Sequence, residues 1–136
     1  MKVYLTRKTH FAAAHRLFNP NFSDEKNKEI FGLCSNPNYH GHNYNLEVTV
    51  EGEPDPETGY VIDLKYLKQV LNENIIKHVD HKNLNLEVDF LEGVNPTVEN
   101  LCIAFWNRLE NQIPSGKLHS IKLYESERNL VEYRGE

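Results

Sequence analysis

The sequence predicts an α+β domain spanning residues 1–136, in which one antiparallel sheet has two helices packed on one face. Three observations predict this class. Two segments, residues 2–15 and 40–51, alternate apolar and polar side chains as half-buried strands do. Two later segments repeat apolar residues with the period of an amphipathic helix. Two short strands close the chain, and long antiparallel strands with segregated helices are typical of α+β proteins.

The composition is that of an ordinary globular protein and excludes several classes of function. The chain has 136 residues, of which 39% are hydrophobic and 26% are charged, enough to build one core. The net charge is -5 and no Lys/Arg cluster forms a basic stripe, so we expect no nucleic-acid partner. No apolar run reaches the roughly 18 residues of a membrane span, so none is predicted. Two cysteines without a visible export signal favour reduced thiols and a cytoplasmic location.

The first strand, residues 2–15, precedes a long polar connection. Its buried face is predicted to consist of Val3, Leu5, Phe11 and Ala13. Residues 16–39 are mixed in character and contain two Asn-Pro turn signals, so they are predicted to be irregular. Connections of this length are often functional.

The second strand, residues 40–51, alternates in the same way. Its apolar face is predicted to consist of Tyr44, Leu46, Val48 and Val50. The stretch "EGEPDPETG" is a turn, and residues 60–62 form a candidate short strand.

Two helices follow the second strand. Asp63 is the predicted N-cap of the first helix, which extends to about Lys77. Its largely apolar stripe consists of Leu64, Leu67, Val70, Leu71, Asn74 and Ile75. Thr97 is the predicted N-cap of the second helix, which ends at "PSG", and Cys102 on this helix is predicted to be a core residue. The buried side of the second helix consists of Leu101, Ala104, Phe105, Leu109 and Ile113.

Two strands, residues 117–125 and 129–134, close the chain as a hairpin joined by "SERN". They complete a sheet of four strands. Glu125 has the parity of the apolar residues before it, and a carboxylate on an apolar row is costly unless it is paired or hydrogen-bonded. Glu125 is therefore either a strand-end residue that faces water or a carboxylate directed at a donor-rich ligand.

Three histidines are predicted to meet at one end of the sheet. His15 ends the first strand on its buried face, and His40 and His42 begin the second strand on its buried face. If the two strands pair antiparallel, the three imidazoles lie together. Three protein ligands with a vacant fourth position are the pattern of catalytic zinc. The alternative is that each histidine is a core residue with its hydrogen bonds satisfied.

Five motifs together resemble the 6-pyruvoyl tetrahydropterin synthase family. They are "FAAAHRL", a cysteine five residues before "HGHNY", "DHKNLN", "PTVEN" and "LYESERNLVEYRGE", in this order from Phe11 to Glu136. The resemblance implies a single domain with the tunnelling fold, a four-stranded antiparallel sheet with two helices on one side. It also implies a homohexamer in which three subunits close a barrel and two trimers stack. Trimer closure covers the exposed edges of the sheet.

The resemblance implies a zinc-dependent lyase of tetrahydrobiopterin-type pterin biosynthesis. Its substrate would be 7,8-dihydroneopterin triphosphate, and its products 6-pyruvoyl-tetrahydropterin and triphosphate. The implied Zn²⁺ ligands are His15, His40 and His42. Zinc would withdraw electron density from the substrate side chain and so ease removal of a C–H proton.

The resemblance also implies roles for residues around the metal. Cys34 would be the general base, acting as a thiolate. The implied partners of Cys34 in proton transfer are Asp80 and His81, either from the same chain or from a neighbouring subunit. The implied pterin contacts are Glu125, Thr97 and Glu99, with Glu125 accepting from the ring N–H groups. The triphosphate could be bound by any of Arg7, Lys8, Arg16, Lys28 and Lys82.

Other functions remain open at the level of sequence. The related 6-carboxy-tetrahydropterin synthases release acetaldehyde in the deazapurine pathway and typically have three residues between the cysteine and "HGH". The five residues found here favour the pyruvoyl branch. A side activity that cleaves dihydroneopterin usually accompanies glutamate in place of Cys34. In a non-catalytic zinc-binding domain, Cys34 would be a fourth ligand or dispensable. Asn85 departs from the aspartate of many relatives, and we expect this to change a local cap or turn.

Overall fold

A computed structural model describes residues 1–136 and contains one five-stranded sheet. The strands are β1 (Val3–His15), β2 (His40–Gly52), β3 (Lys82–Asn83), β4 (Lys117–Tyr124) and β5 (Leu130–Tyr133). Their order in the sheet is β3-β1-β2-β4-β5.

The four long strands pair antiparallel, as predicted. β1 and β2 pair along their full length, from Val3 opposite Gly52 to His15 opposite His40. This register follows from the alternation of the two strands, because a slip by one residue would turn every apolar side chain of one strand towards water. The end of β1 therefore lies beside the start of β2.

The prediction of four strands is wrong, because β3 adds a fifth at the edge of the sheet. Residues 82–83 pair parallel with residues 13–14 of β1. The Leu84 N–H donates to the Ala14 carbonyl at 2.8 Å and extends this pairing. A two-residue strand is too short to show any alternation, so the sequence pattern could not predict it.

The long connection contains a helix that was not predicted. Helix α1 (Asp24–Phe31) begins after Ser23, whose hydroxyl accepts from the Lys26 N–H at 3.1 Å. The helix buries only Asn27, so it has no apolar stripe that a periodicity analysis could detect. Gly32 follows with a φ of 59° and begins a 3-10 turn, Gly32–Ser35.

The first predicted helix consists of three consecutive segments: α2 (Leu64–Leu71), a π-helical turn (Asn72–Ile76) and α3 (Lys77–Val79). Asp63 caps it, as predicted, by accepting from the Lys65 N–H at 2.9 Å. The candidate strand at residues 60–62 is wrong, because this segment bends into the helix.

The second predicted helix is α4 (Val98–Leu109). α2 and α4 share one hydrophobic cluster with the inward side chains of the sheet, so both helices cover the same face. Cys102 lies in this cluster with no exposed surface, as predicted, and burial raises the pKa of its thiol to about 12. No helix of the chain has the length and apolar character needed to cross a membrane.

Candidate functional site

Three imidazoles lie together where β1 ends and β2 begins. His15 is directly opposite His40 in the strand register, and the two-residue repeat of β2 brings His42 to the same face. One ring nitrogen from each of the three lies within 4.8 Å of the others. The ring centroids are 4.6 to 5.1 Å apart. We call these three residues the histidine triad.

The histidine triad has ring nitrogens without hydrogen-bond partners, which are suited to binding a metal cation. Nε2 of His15, both ring nitrogens of His40 and Nε2 of His42 are buried and have no hydrogen-bond partner in the chain. A buried polar atom without a partner costs free energy, and a metal ion would remove that cost. His15 Nδ1 lies 2.8 Å from the Pro96 carbonyl oxygen. Because a carbonyl only accepts, Nδ1 carries the proton and Nε2 presents a lone pair towards the triad.

The ionisation of His15 and His40 also suits the binding of a metal cation. Burial lowers the pKa of His15 to about 4, against the opposing effect of the Pro96 carbonyl. Burial, followed by the neighbouring His42, lowers the pKa of His40. Neutral imidazole is the form that coordinates a metal, so these rings are suited to Zn²⁺.

Glu125 directs its carboxylate towards the histidine triad. Its Oε1 lies 3.6 Å from His42 Nε2, and its side chain is 23% exposed. The negative charge of Glu125 also opposes the lowering of the His40 pKa. The carboxylate therefore faces the histidine triad and is largely shielded from water.

Two groups at the site were missed by sequence reasoning. The first is the Pro96 carbonyl, which orients His15 and has no side-chain signal. The second is Tyr44, which was assigned only to the core. Its hydroxyl lies 3.3 Å from His15 Nδ1, and its ring stacks on Phe11 at 4.7 Å. Burial raises the pKa of Tyr44, and the neighbouring Glu125 carboxylate raises it further.

Cys34 lies in the 3-10 turn that precedes β2. It is a free, partly buried cysteine and is not a member of the metal-ligating group formed by the histidine triad. Its carbonyl accepts from the Leu17 N–H at 2.8 Å, just beyond the end of β1. The candidate metal-ligating group therefore consists of the three histidines and does not include the Cys34 thiol.

Asp80 and His81 pair with each other, and neither forms a hydrogen bond or ion pair with the histidine triad or Cys34. Asp80 Oδ1 accepts from the Ala12 N–H at 3.0 Å and lies 3.0 Å from His81 Nδ1. The Ala12 N–H is the main cause of the lowered pKa of Asp80, and His81 adds to it. The His81 side chain is 84% exposed, on a backbone with a φ of 60°.

Thr97 and Glu99 lie at the start of α4. The Thr97 hydroxyl accepts from the Asn100 N–H at 3.1 Å, so it caps the helix as predicted. Glu99 is exposed in the first helical turn. The structure therefore gives Thr97 a structural role in addition to any pterin contact.

Replacing Thr97 by alanine should reduce the free energy of unfolding by about 1 kcal/mol, because one N–H of the first helical turn loses its acceptor. Urea unfolding followed by circular dichroism measures this loss. Thr97→Ser keeps the hydroxyl and should remain within a few tenths of a kcal/mol of the wild type. Equal stability of the alanine and serine variants would contradict the capping role.

The five candidate cations for the triphosphate differ in their distance from the histidine triad. Arg7 lies eight residues before His15 on one strand, which corresponds to roughly 26 Å at ~3.3 Å per residue. Lys8 is one residue nearer, and Lys28 lies on α1. Arg16 directly follows His15, and Lys82 lines an open cleft of about 490 Å³ together with His42 and His81. Within one chain, Lys82 is therefore nearer to the histidine triad than Arg7 and Lys8. Arg16 is also near, but its Nε donates to the Ser35 carbonyl and its guanidinium group lies over the Phe18 ring.

Comparison with known proteins gives consistent matches along the whole chain. The family model described as 6-pyruvoyl tetrahydropterin synthase matches residues 4–136. A 6-pyruvoyl tetrahydrobiopterin synthase of Pongo abelii is 46% identical over 132 residues, covering 97% of this chain and 91% of the relative. The solved structure of Caenorhabditis elegans 6-pyruvoyl tetrahydropterin synthase superposes with a TM-score of 0.94 at 37% identity. It covers 100% of this chain and 97% of that chain.

A more distant relative belongs to the carboxy branch. A 6-carboxy-5,6,7,8-tetrahydropterin synthase of Rickettsia typhi is 29% identical over 145 residues, covering 93% of this chain and 96% of the relative. This identity is well below that of the Pongo abelii protein over a similar share of the chain.

Proposed function

This chain belongs to the 6-pyruvoyl tetrahydropterin synthase family of enzymes, and from that premise we propose that it is a zinc-dependent lyase. Its proposed substrate is 7,8-dihydroneopterin triphosphate, and its proposed products are 6-pyruvoyl-tetrahydropterin and triphosphate. The observation that carries the proposal is the histidine triad, whose unpartnered ring nitrogens converge beside the Glu125 carboxylate. The 46% identity to a pyruvoyl-forming relative, against 29% to a carboxy-forming one, supports the pyruvoyl product.

His15, His40 and His42 would hold the zinc ion, with His15 oriented by the Pro96 carbonyl. Bound zinc supplies Lewis acidity at the hydroxyl-bearing side chain of the substrate. Three protein ligands leave a coordination position for the substrate, since Cys34 is not part of the group.

Glu125 would hold the pterin ring by accepting hydrogen bonds from its N–H groups. The carboxylate is about three-quarters buried and 3.6 Å from His42, so a ring bound to it would lie beside the metal. Hydrogen bonds to a charged acceptor are stronger than neutral ones and fix the orientation of the ring. Thr97 and Glu99 are proposed as further pterin contacts.

Glu125→Gln should raise KM by roughly 10- to 100-fold, because a charge-assisted hydrogen bond contributes about 1.5–3 kcal/mol. Bound zinc should be unchanged. Steady-state kinetics and metal analysis measure the two quantities. Glu127→Gln makes the same change at an exposed position of the same hairpin and should leave KM unaltered. An unchanged KM in the Glu125 variant would remove the proposed pterin contact.

Cys34 would remove a proton from a substrate carbon next to a hydroxyl. Asp80 would hold His81 through Nδ1, so that His81 can deliver a proton from its other nitrogen. Protons move between carbons and triphosphate leaves as the substrate rearranges, so no external oxidant is needed. Because the His81 side chain is 84% exposed, the proposal includes a site shared between subunits.

The proposal also includes the tunnelling fold and a homohexamer. The outer edge of β1 pairs with β3 only at residues 13–14, so the edge over residues 3–11 is unpaired. β5 has an unpaired outer edge on the other side of the sheet. Pairing between copies would cover these edges, which otherwise invite uncontrolled association.

The test supplies the purified protein with 7,8-dihydroneopterin triphosphate and identifies the products by mass spectrometry. A pyruvoyl pterin with free triphosphate is the expected result. A carboxy product with acetaldehyde would reassign the chain to the other branch. Absence of turnover in protein with bound zinc would indicate a zinc-binding domain without catalysis.

A further inference from the structure

Arg16 directly follows His15 and is fixed by one side chain. The Arg16 N–H donates to Asn85 Oδ1 at 2.8 Å, and Asn85 Nδ2 donates to the Arg16 carbonyl at 2.9 Å. The Asn85 side-chain amide therefore bonds both the N–H and the carbonyl of Arg16, as the backbone of a paired strand would. Because Asn85 follows β3, this contact continues the edge pairing past the end of β1.

The same segment also holds the turn that carries Cys34. Arg16 Nε donates to the Ser35 carbonyl at 2.8 Å, and the Leu17 N–H donates to the Cys34 carbonyl at 2.8 Å. The guanidinium group lies 4.0 Å over the Phe18 ring, which limits its rotation. Two consecutive carbonyls of the turn are thus bonded to two consecutive residues that follow His15.

We propose that Arg16, held by Asn85, is a positioning residue that sets the place of the Cys34 thiol relative to the histidine triad. This inference rests on the proposed function, in which Cys34 is the base. Five residues lie between Cys34 and His40, and Tyr39 among them has a φ of 67°. No continuous helix or strand joins Cys34 to His40, so the distance between the two side chains depends on other contacts. The bonds from Arg16 and Leu17 tie the turn to the strand that supplies His15.

The chemistry of Asn85 fits this role better than aspartate would. An amide can accept from the Arg16 N–H and donate to the Arg16 carbonyl at the same time. A carboxylate keeps the first bond but places a second acceptor about 2.9 Å from a carbonyl oxygen. Asparagine in place of aspartate at position 85 therefore allows two hydrogen bonds to Arg16, the residue after His15.

The test compares two variants with two matched controls. Arg16→Met keeps an unbranched side chain but removes the donor to Ser35 and the guanidinium group over Phe18. Asn85→Asp removes the donor to the Arg16 carbonyl. Lys26→Met removes a cation that lies 4.1 Å over Phe22 on the neighbouring helix. Asn83→Asp makes the amide-to-acid change two residues earlier, at the end of β3, while keeping the acceptor for the Asn85 N–H.

We expect kcat to fall by about 100-fold in Arg16→Met and by at least tenfold in Asn85→Asp, with bound zinc and KM little changed, because misplacement of a reacting group by ~1 Å costs about 10²-fold. Hydrogen exchange of the Leu17 amide, followed by NMR, should accelerate at least tenfold in both variants. The controls should match the wild type in all four quantities.

The proposal is overturned if kcat and the Leu17 exchange rate are unchanged in both variants. It is also overturned if Arg16→Met raises KM while leaving exchange unchanged, because that result assigns Arg16 to substrate binding. If the wild type lacks turnover, the proposed function fails, whereas the exchange rates still decide whether Arg16 and Asn85 hold the Cys34 turn.

Discussion

His42→Ala should lower zinc affinity by more than about 100-fold and abolish measurable turnover. Removal of groups that only support a metal ligand already costs about 10- to 100-fold, and loss of one of three ligands should cost more. His42 suits the test because its side chain is 25% exposed, so its removal disturbs the core less than loss of the fully buried His15. Metal content after dialysis and product formation are the two measurements.

His119→Ala is the matched control for His42→Ala. His119 lies on β4 of the same sheet, 3.3 Å from the Glu51 carboxylate, and is outside the histidine triad. This variant should keep full zinc content and turnover. Stoichiometric zinc in His42→Ala together with normal turnover would contradict the assignment of the metal site.

Cys34→Ala should retain stoichiometric zinc and lose turnover by about 10²- to 10⁴-fold, the usual contribution of a general base. The physical reason is that the thiol lies outside the metal-ligating group, so its removal leaves all three histidines in place. Metal analysis and single-turnover kinetics separate the two effects. Loss of zinc would instead identify Cys34 as a fourth ligand, and retained turnover would exclude it as the base.

Cys102→Ala controls for loss of a thiol as such. Cys102 is fully buried in the hydrophobic cluster and has no role in the proposed reaction. We expect this variant to be somewhat less stable, because it loses buried volume, but to retain zinc and turnover.

Much of the fold was predictable from residue alternation. The inward parity of Phe11 and Tyr44 predicted which face of each long strand is buried, and the caps at Asp63 and Thr97 marked the starts of two helices. Helix α1 was not predictable in this way, because it buries almost nothing. The fifth strand was missed because it has only two residues.

The sequence by itself determined which side chains of the two long strands share a face. Because the side-chain period of a strand is two, His15, His40 and His42 had to point to the covered side once the strands paired. The family resemblance of five motifs in order also followed from the sequence, and the matches along residues 4–136 confirm it.

Only the tertiary structure decided which hydrogen-bonding groups surround the site. The Pro96 carbonyl on His15, the Asn85 side-chain amide on Arg16 and the bonds that hold the Cys34 turn all join residues far apart in the chain. Every residue offers a backbone acceptor, so the bonds to the Pro96 and Cys34 carbonyls leave no trace in composition or periodicity. Their partners are selected by how the loops pack around the end of the sheet.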